Sequence, residues 1–556
     1  MRRPLLACVL LLAVYAGLSF ANDTHGTLGT DTGGKVATLR TMESRGLDPD
    51  VGYWAARWDP HGDLHPLFYT SPIGAKWVNV TTLPVLYAAE PLFRLGGYRL
   101  ALLLPMLGSV LAALAAAAVA RRLGADGWLA FVVVGLLSPL AIYALDFWEH
   151  SIGVALMAWA VVLLLDVLDR GIPRPWPRAL GAGLLFGAAA TLRTEALVYA
   201  AVATAAVCLV LLFRRRRLGL PVLVGLVVTF GLLLPLAGNT ALEQATVGGT
   251  IRTARTSGSA AEAGRGARLR LEEGLLTAVG LYPEVSWKSV AVGGGMLLLL
   301  VVASWAVRRR RELGPAVVGG GGAAALVAVR FTQGLGFIPG MTAAGPVAAI
   351  GLGGGWSSSQ AVGSAESTGL RRLLLAIAVA ALPIVWAFQF LGGAYAQWGG
   401  RYVLMSGFLL TVLGAAALER APRPAAVGAL ALAASVTVFG LLWLSSRTHD
   451  VARAEAALYG RRDAVLISRV AHLAREGGAY YRYGGRPWLT AVTDAQEQAA
   501  VGVVREAGMA GFAVVDDGTG SVGSFGGFRP EGTSHVEFLG LRLRLTSYRA
   551  ASSVHG

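Results

Sequence analysis

Apolar runs of membrane-spanning length recur through residues 1–445, and the short turns between them alternate in character. One set of turns is arginine-rich: Arg121-Arg122, Arg170 to Arg178, Arg214 to Arg217, Arg308 to Arg311, Arg371-Arg372 and Arg420 to Arg423. The other set falls near Asp146 to His150, Thr191 to Glu195, Gln244 to Lys288, Gln333 to Gly340 and Tyr395 to Tyr402. Because arginine excess marks the cytoplasmic side, the alternation predicts about thirteen transmembrane helices, N-terminus inside and C-terminus outside. The first run, Leu5 to Ala21 behind Met1-Arg-Arg3, reads as a retained signal anchor, and the last is about Ala425 to Leu444. Within the first outside loop, residues 22–96, the stretch Thr81 to Leu95 holds Pro84, Glu90, Pro91 and Arg94, and reads as a helix lying in the interface.

From Arg447 the pattern changes to short alternating segments. Strands are predicted at Ala464 to Ser468, Pro487 to Val492 and Gly511 to Val515, with helices at Arg469 to Glu476 and Ala495 to Ala507. Gly518 to Gly527 reads as a flexible loop and His535 to Tyr548 has strand-like alternation. The expected organisation is therefore a polytopic α-helical membrane domain, residues 1–445, followed by a small α/β domain outside the membrane, residues 446–556.

Composition agrees with this reading. Of 556 residues 55% are hydrophobic and only 15% charged, with a mean hydropathy of +0.58. The net charge of +15 is carried by arginine clusters between apolar runs rather than along one polar face, so it is a topology signal and no nucleic-acid footprint. Cys8 and Cys208 both lie in apolar runs, which argues against a disulfide framework or a thiolate metal site. The C-terminal segment has no Gly-rich nucleotide fingerprint.

The polar residues gather on the outside of this topology. The first outside loop supplies Asp31, Lys35, Asp48, Asp50, Asp59, His61, Asp63 and His65; later turns supply Glu149 and His150, Arg193 and Glu195, and Gln397, Arg401 and Tyr402. Ionisable groups at the mouth of a helical bundle are costly and mark function. A surface acid can accept a proton from an attacking hydroxyl, while arginines neutralise a phosphate leaving from a lipid anchor. Asp31, Glu149 and His150 could alternatively hold a divalent cation, Mg or Mn, doing the same neutralising work. Bland readings exist for each: Asp31 as a helix cap, Asp48 and Asp50 flanking a turn proline, Asp59-Pro60 as a turn, Arg193 pairing with Glu195, and Arg401 as an aromatic-belt anchor.

The acidic first loop, the Asp146-Phe-Trp-Glu-His150 turn, Leu192-Arg-Thr-Glu-Ala196 and Gln397-Trp-Gly-Gly-Arg-Tyr402 resemble the GT-C membrane glycosyltransferases, which include protein O-mannosyltransferases and lipid A aminoarabinose transferases. The resemblance runs over residues 1 to about 445 and implies a GT-C-like fold in a bacterial inner membrane. It implies transfer of a sugar from a polyprenyl-phosphate donor to a glycan, lipid or protein acceptor on the outer side. Asp31 would be the catalytic carboxylate of the first loop, taking the acceptor's proton, with Asp59 the alternative. Lys35, Glu149, His150, Arg193, Glu195, Gln397, Arg401 and Tyr402 would contact substrate, with Arg401 on the lipid phosphate. Rival readings are a multi-span transporter or flippase of envelope precursors, an assembly subunit, and a ligase using a polyprenyl-pyrophosphate donor. A carrier would show internal repeats and midplane charges, and neither stands out.

Overall fold

The computed structural model describes residues 2–79, 82–169, 174–251, 340–354, 365–388, 398–461, 465–484, 487–519 and 523–551, with isolated positions between 266 and 278. The chain divides into two compact units: residues 1–18, 102–239 and 257–442 form one, and residues 19–101, 240–256 and 443–556 the other.

The first unit is helical. Among the described residues of the whole chain, seven helices are long and apolar enough to cross a membrane: Leu103–Arg122, His150–Val167, Ala196–Arg215, Gly219–Val247, Ser367–Phe388, Arg401–Leu418 and Ala426–Tyr459. Pro4–Ser19 is a shorter apolar helix. About thirteen spans is therefore not the number reached among these residues. Two of the other expected spans form shorter helices. The run after Arg122 is broken, Trp128–Leu136 being followed by the single turn Leu140–Tyr143, because Pro139 has no N–H and its ring blocks the preceding turn. Trp176–Leu192 has only 17 residues before Arg193 ends it. The expected turn Arg308 to Arg311 and most of the ninth and tenth spans lie outside the described residues.

Small residues let these helices approach. A Cβ on Gly108 would meet the Ile152 nitrogen at 2.6 Å, one on Gly183 the Val228 oxygen at 2.3 Å, and one on Gly351 the Leu410 oxygen at 1.9 Å. Such close backbone crossings replace the hydrophobic driving force that lipid cannot supply. Arg122 Nε donates to Asp166 at 3.1 Å, Arg178 lies 3.9 Å from the same carboxylate, and Arg371 and Arg420 both donate to the Leu123 carbonyl. Four arginine turns assigned to one side by the hydropathy pattern thus gather at one end of this unit.

The second unit is built on a five-stranded sheet. Strands β1 (Thr70–Ile73) and β2 (Lys76–Asn79) form a separate hairpin. The main sheet runs β4 (Trp488–Thr490), β3 (Val465–Ser468), β5 (Gly511–Asp516), β7 (Leu541–Ala550), β6 (Phe528–Phe538). β3 is parallel to β4 and β5, whereas β6 and β7 form an antiparallel hairpin. The strand-like stretch His535 to Tyr548 is therefore two strands around the turn at Leu539-Gly540.

Strand periodicity divides the sheet's two faces. Val465, Ile467, Phe512 and Val514 face a core with Val501 and Val504 of helix Asp494–Glu506 and with Tyr53, Ala55 and Leu64 of the first loop. Leu466, Ala513 and Val515 face the opposite core with Val451, Ala454 and Leu458. Both faces are covered, so the strands read as continuous apolar runs. The first loop, grouped with the membrane domain in the sequence reading, packs here with residues 443–556: Thr490 N donates to Leu64 O at 2.9 Å and Gly484 N to Val51 O at 3.0 Å. The last apolar helix does not end near Leu444 but continues from Arg423 to Tyr459. Its alanine-rich continuation has no breaker before Gly460.

Candidate functional site

In the second unit the site is centred on Asp31. The helix Thr30–Arg45 carries Asp31 in its first turn, and ends at Gly46, whose φ of 66° terminates it in a left-handed cap. Partial positive charge at a helix start favours an acid there. The second positive charge is Arg475, 1% exposed, with Nη1 3.4 Å from Asp31 Oδ1, whose side chain is 32% exposed. Arg475 Nη2 also donates to Asn79 Oδ1 at 3.2 Å, and its guanidinium lies 5.1 Å from the centroid of the Tyr69 ring. Lys35, one turn beyond Asp31, is buried.

Gly33 and Gly34 explain how this cluster closes. A Cβ on Gly33 would meet the Arg475 carbonyl oxygen at 1.8 Å, and one on Gly34 would meet Asn79 Oδ1 at 2.5 Å. Only a side-chain-free surface lets the segment His472 to Gly478 seat on the helix. The sequence Asp31-Thr-Gly-Gly-Lys35 thus joins an acid to the surface that brings its arginine.

His472, Phe68 and Tyr69 complete the surroundings: the His472 ring meets Phe68 edge-on at 5.0 Å and stacks on Tyr69 at 6.0 Å. Burial, reinforced by Arg475, lowers the His472 pKa to about 4. Tyr69 is 41% exposed and holds a φ of 67°, a left-handed conformation costly for an aromatic residue. Burial raises the Glu476 pKa, opposed by Arg447 and by a hydrogen bond from Thr27. Sequence reading missed Arg475, His472 and Tyr69. An Arg475 inside a short polar helix carries no local sign that it is buried, and its partner lies far away in sequence.

Asp59, Asp50 and Asp48 of the first loop are held by neighbouring groups. Asp59 Oδ2 accepts from Tyr53 Oη at 2.8 Å and Leu64 N at 2.9 Å, while Oδ1 accepts from Asp63 N at 3.2 Å. Asp50 accepts from the backbone of Gly52 and Trp77 and from Tyr483 Oη. Lys76 and Arg45 pair with Asp48. Three hydrogen bonds on Asp59 describe a residue that holds a turn.

In the first unit, the remaining expected residues come together. Arg193, between the ends of two helices, donates from Nε to Glu195 Oε1 at 2.8 Å and lies 3.4 Å from Glu149 Oε1 through Nη1. Arg401 Nη2 donates to Tyr402 Oη at 2.7 Å, and the Arg401 guanidinium sits over the Trp148 and Tyr402 rings at 5.3 and 4.6 Å. His150 stacks on Tyr143 at 5.0 Å. His150, Arg193, Glu195, Arg401 and Tyr402 line one narrow crevice of about 10 Å³ with Met157 and Met405. Gln397 lies outside the described residues. The cluster stands at the His150 end of helix His150–Val167, whereas Asp166 and its arginines stand at the other, about 24 Å away at 1.5 Å per residue. Among the described residues no three His, Cys, Asp or Glu side chains gather as a metal-binding group.

No family model and no curated protein matches this chain. Among solved structures it is similar to the apo oligosaccharyltransferase of Archaeoglobus fulgidus, at 13% identity and a TM-score of 0.44, covering 92% of this chain and 69% of that one. It is also similar to ArnT of Cupriavidus metallidurans in the apo state, at 16% identity and a TM-score of 0.42, covering 97% of each chain. The same ArnT bound to undecaprenyl phosphate aligns at 14% identity and a TM-score of 0.38, over 99% of this chain and 98% of that one. These structure neighbours are GT-C glycosyltransferases.

Proposed function

We propose that this chain is a membrane glycosyltransferase that moves a sugar from a polyprenyl-phosphate donor to a hydroxyl-bearing acceptor on the extracytoplasmic side. The observation that carries the reading is the pairing of a part-exposed Asp31, in the first turn of its helix, with the buried Arg475 at 3.4 Å. A carboxylate so held is oriented, remains open to solvent on one side, and has few conformations to lose when a substrate arrives. Arg475 is a positioning residue in this scheme, not one that meets substrate.

The proposed step is a single displacement with inversion. The acceptor oxygen attacks the anomeric carbon and gives its proton to Asp31; the bond from that carbon to the phosphate oxygen breaks, and the lipid phosphate leaves with the electron pair. Arg193, with two carboxylates already beside it, is assigned to holding Glu149 and Glu195 in place. Asp59 is assigned a structural role.

The test is to incubate the purified full-length protein with a panel of radiolabelled polyprenyl-phosphate sugars, with and without chelator. One donor is expected to be consumed, and Asp31→Asn is expected to lower turnover by about 100-fold or more with membrane insertion and thermal stability preserved. Full turnover in Asp31→Asn removes the catalytic assignment. Uptake of sugar into sealed vesicles with no donor consumed replaces the enzyme with a carrier.

A further inference from the structure

The second unit contains a basic cavity that no part of this reading uses. Its volume is about 640 Å³, and its polar lining comes from Thr24, His25, Arg40, Glu43, Arg94 and Arg99. Three arginines and one glutamate line it, and Arg94 pairs with Glu90. His25 pairs with Asp23. Arg40 and Arg99 make no ion pair among the described residues, and the Nε of each is buried without a hydrogen-bond acceptor there. Buried guanidinium N–H groups without acceptors are costly, and an anion is the group that satisfies them.

The backbone is arranged to produce this convergence. Arg94 and Arg99 lie on one helix, Leu83–Ala101, which breaks at Gly96 and Gly97, the latter at φ 65°. In an unbroken helix two residues five apart would point about 140° away from each other. The break turns both onto the same cavity as Arg40 of the neighbouring helix.

Two apolar side chains mark the rim. Leu95, which lines the cavity, is 80% exposed, and Phe20, over whose ring the Arg99 guanidinium sits at 4.3 Å, is 68% exposed. Along the chain, Thr24 follows the apolar helix that ends at Ser19, and Arg99 precedes the apolar helix that begins at Leu103. Arginines beside exposed apolar side chains, next to two apolar helices, match a phosphate headgroup with an acyl chain attached.

We propose that this cavity binds the headgroup of an anionic phospholipid, with Arg40 and Arg99 on the phosphate and Leu95 and Phe20 against its chains. Binding to full-length protein in neutral detergent would be measured by native mass spectrometry with phosphatidylglycerol, phosphatidylcholine and inorganic phosphate as separate probes. Phosphatidylglycerol is expected to be retained over phosphatidylcholine, and Arg40→Gln/Arg99→Gln to weaken it by about tenfold or more. Arg453→Gln, which removes an exposed arginine elsewhere in the unit, is expected to leave retention unchanged. Leu95→Asn, at a position too exposed to disturb folding, is expected to weaken phosphatidylglycerol severalfold. Equal retention of the two lipids, or no change in the double variant, overturns the proposal. Inorganic phosphate displacing phosphatidylglycerol at comparable concentration overturns it too, by making the site one for a free anion.

Discussion

Arg193 and His65 show how single residues convert burial into measurable consequences. Arg193 lies against Glu149 and Glu195, both buried. Replacing it by glutamine leaves two carboxylates without their cation, and Arg193→Gln is expected to lose about 3–5 kcal/mol. An unchanged thermal inactivation midpoint would contradict this. Lysine keeps the charge but not the fork that reaches two carboxylates, so Arg193→Lys should fall between the two. His65 is buried, with Nδ1 accepting from Leu67 N at 3.0 Å and Nε2 3.1 Å from Gly52 O. Burial lowers its pKa from 6.5 to about 4. The unfolded chain therefore binds the proton that the folded one refuses between those values, and stability falls as pH drops from 6.5 toward 4, by about 3 kcal/mol. Above pH 6.5 this contribution is flat. Denaturation midpoints measured from pH 7 to 4.5 should slope in the wild type and flatten in His65→Gln.

At the scale of elements, the helix Thr30–Arg45 and the segment His472 to Gly478 act as one piece. Alanine at Gly33 would improve helix propensity by about 1 kcal/mol. Its methyl, however, would meet the Arg475 carbonyl at 1.8 Å, and this is backbone, which cannot swing aside. The clash dominates, and Gly33→Ala is expected to lower the melting temperature and donor turnover together, whereas Gly17→Ala, with open space around its Cβ, should lower neither. The glycine pair was visible in the sequence as part of a polar motif, but its reason was not. The sequence offered Asp31 as a helix cap; it could not predict which distant backbone seats on the two glycines that follow it.

For the molecule as a whole, the second unit draws its core from both ends of the chain. Tyr53, Ala55 and Leu64 share a core with β3 and β5, and Trp54 Nε1 donates to the Trp488 carbonyl at 3.1 Å. Deleting residues 460–556 should therefore expose residues 30–79 to limited proteolysis in the membrane-inserted remainder, because their apolar side chains lose the surface they cover. A first loop that stays protected in that truncation would mean that it folds alone. What the sequence by itself determined is what depends on local pattern: the apolar runs, the arginine turns that gather at one end of the helical unit, and the strands from Val465 onward. The tertiary structure alone decided which acid stands open beside a buried arginine and which is tied into a turn. It also decided that the first loop and the final hundred residues share one core. Periodicity reports which face of a segment is apolar; the choice of partner depends on shape and charge matched across hundreds of residues, which no local window contains.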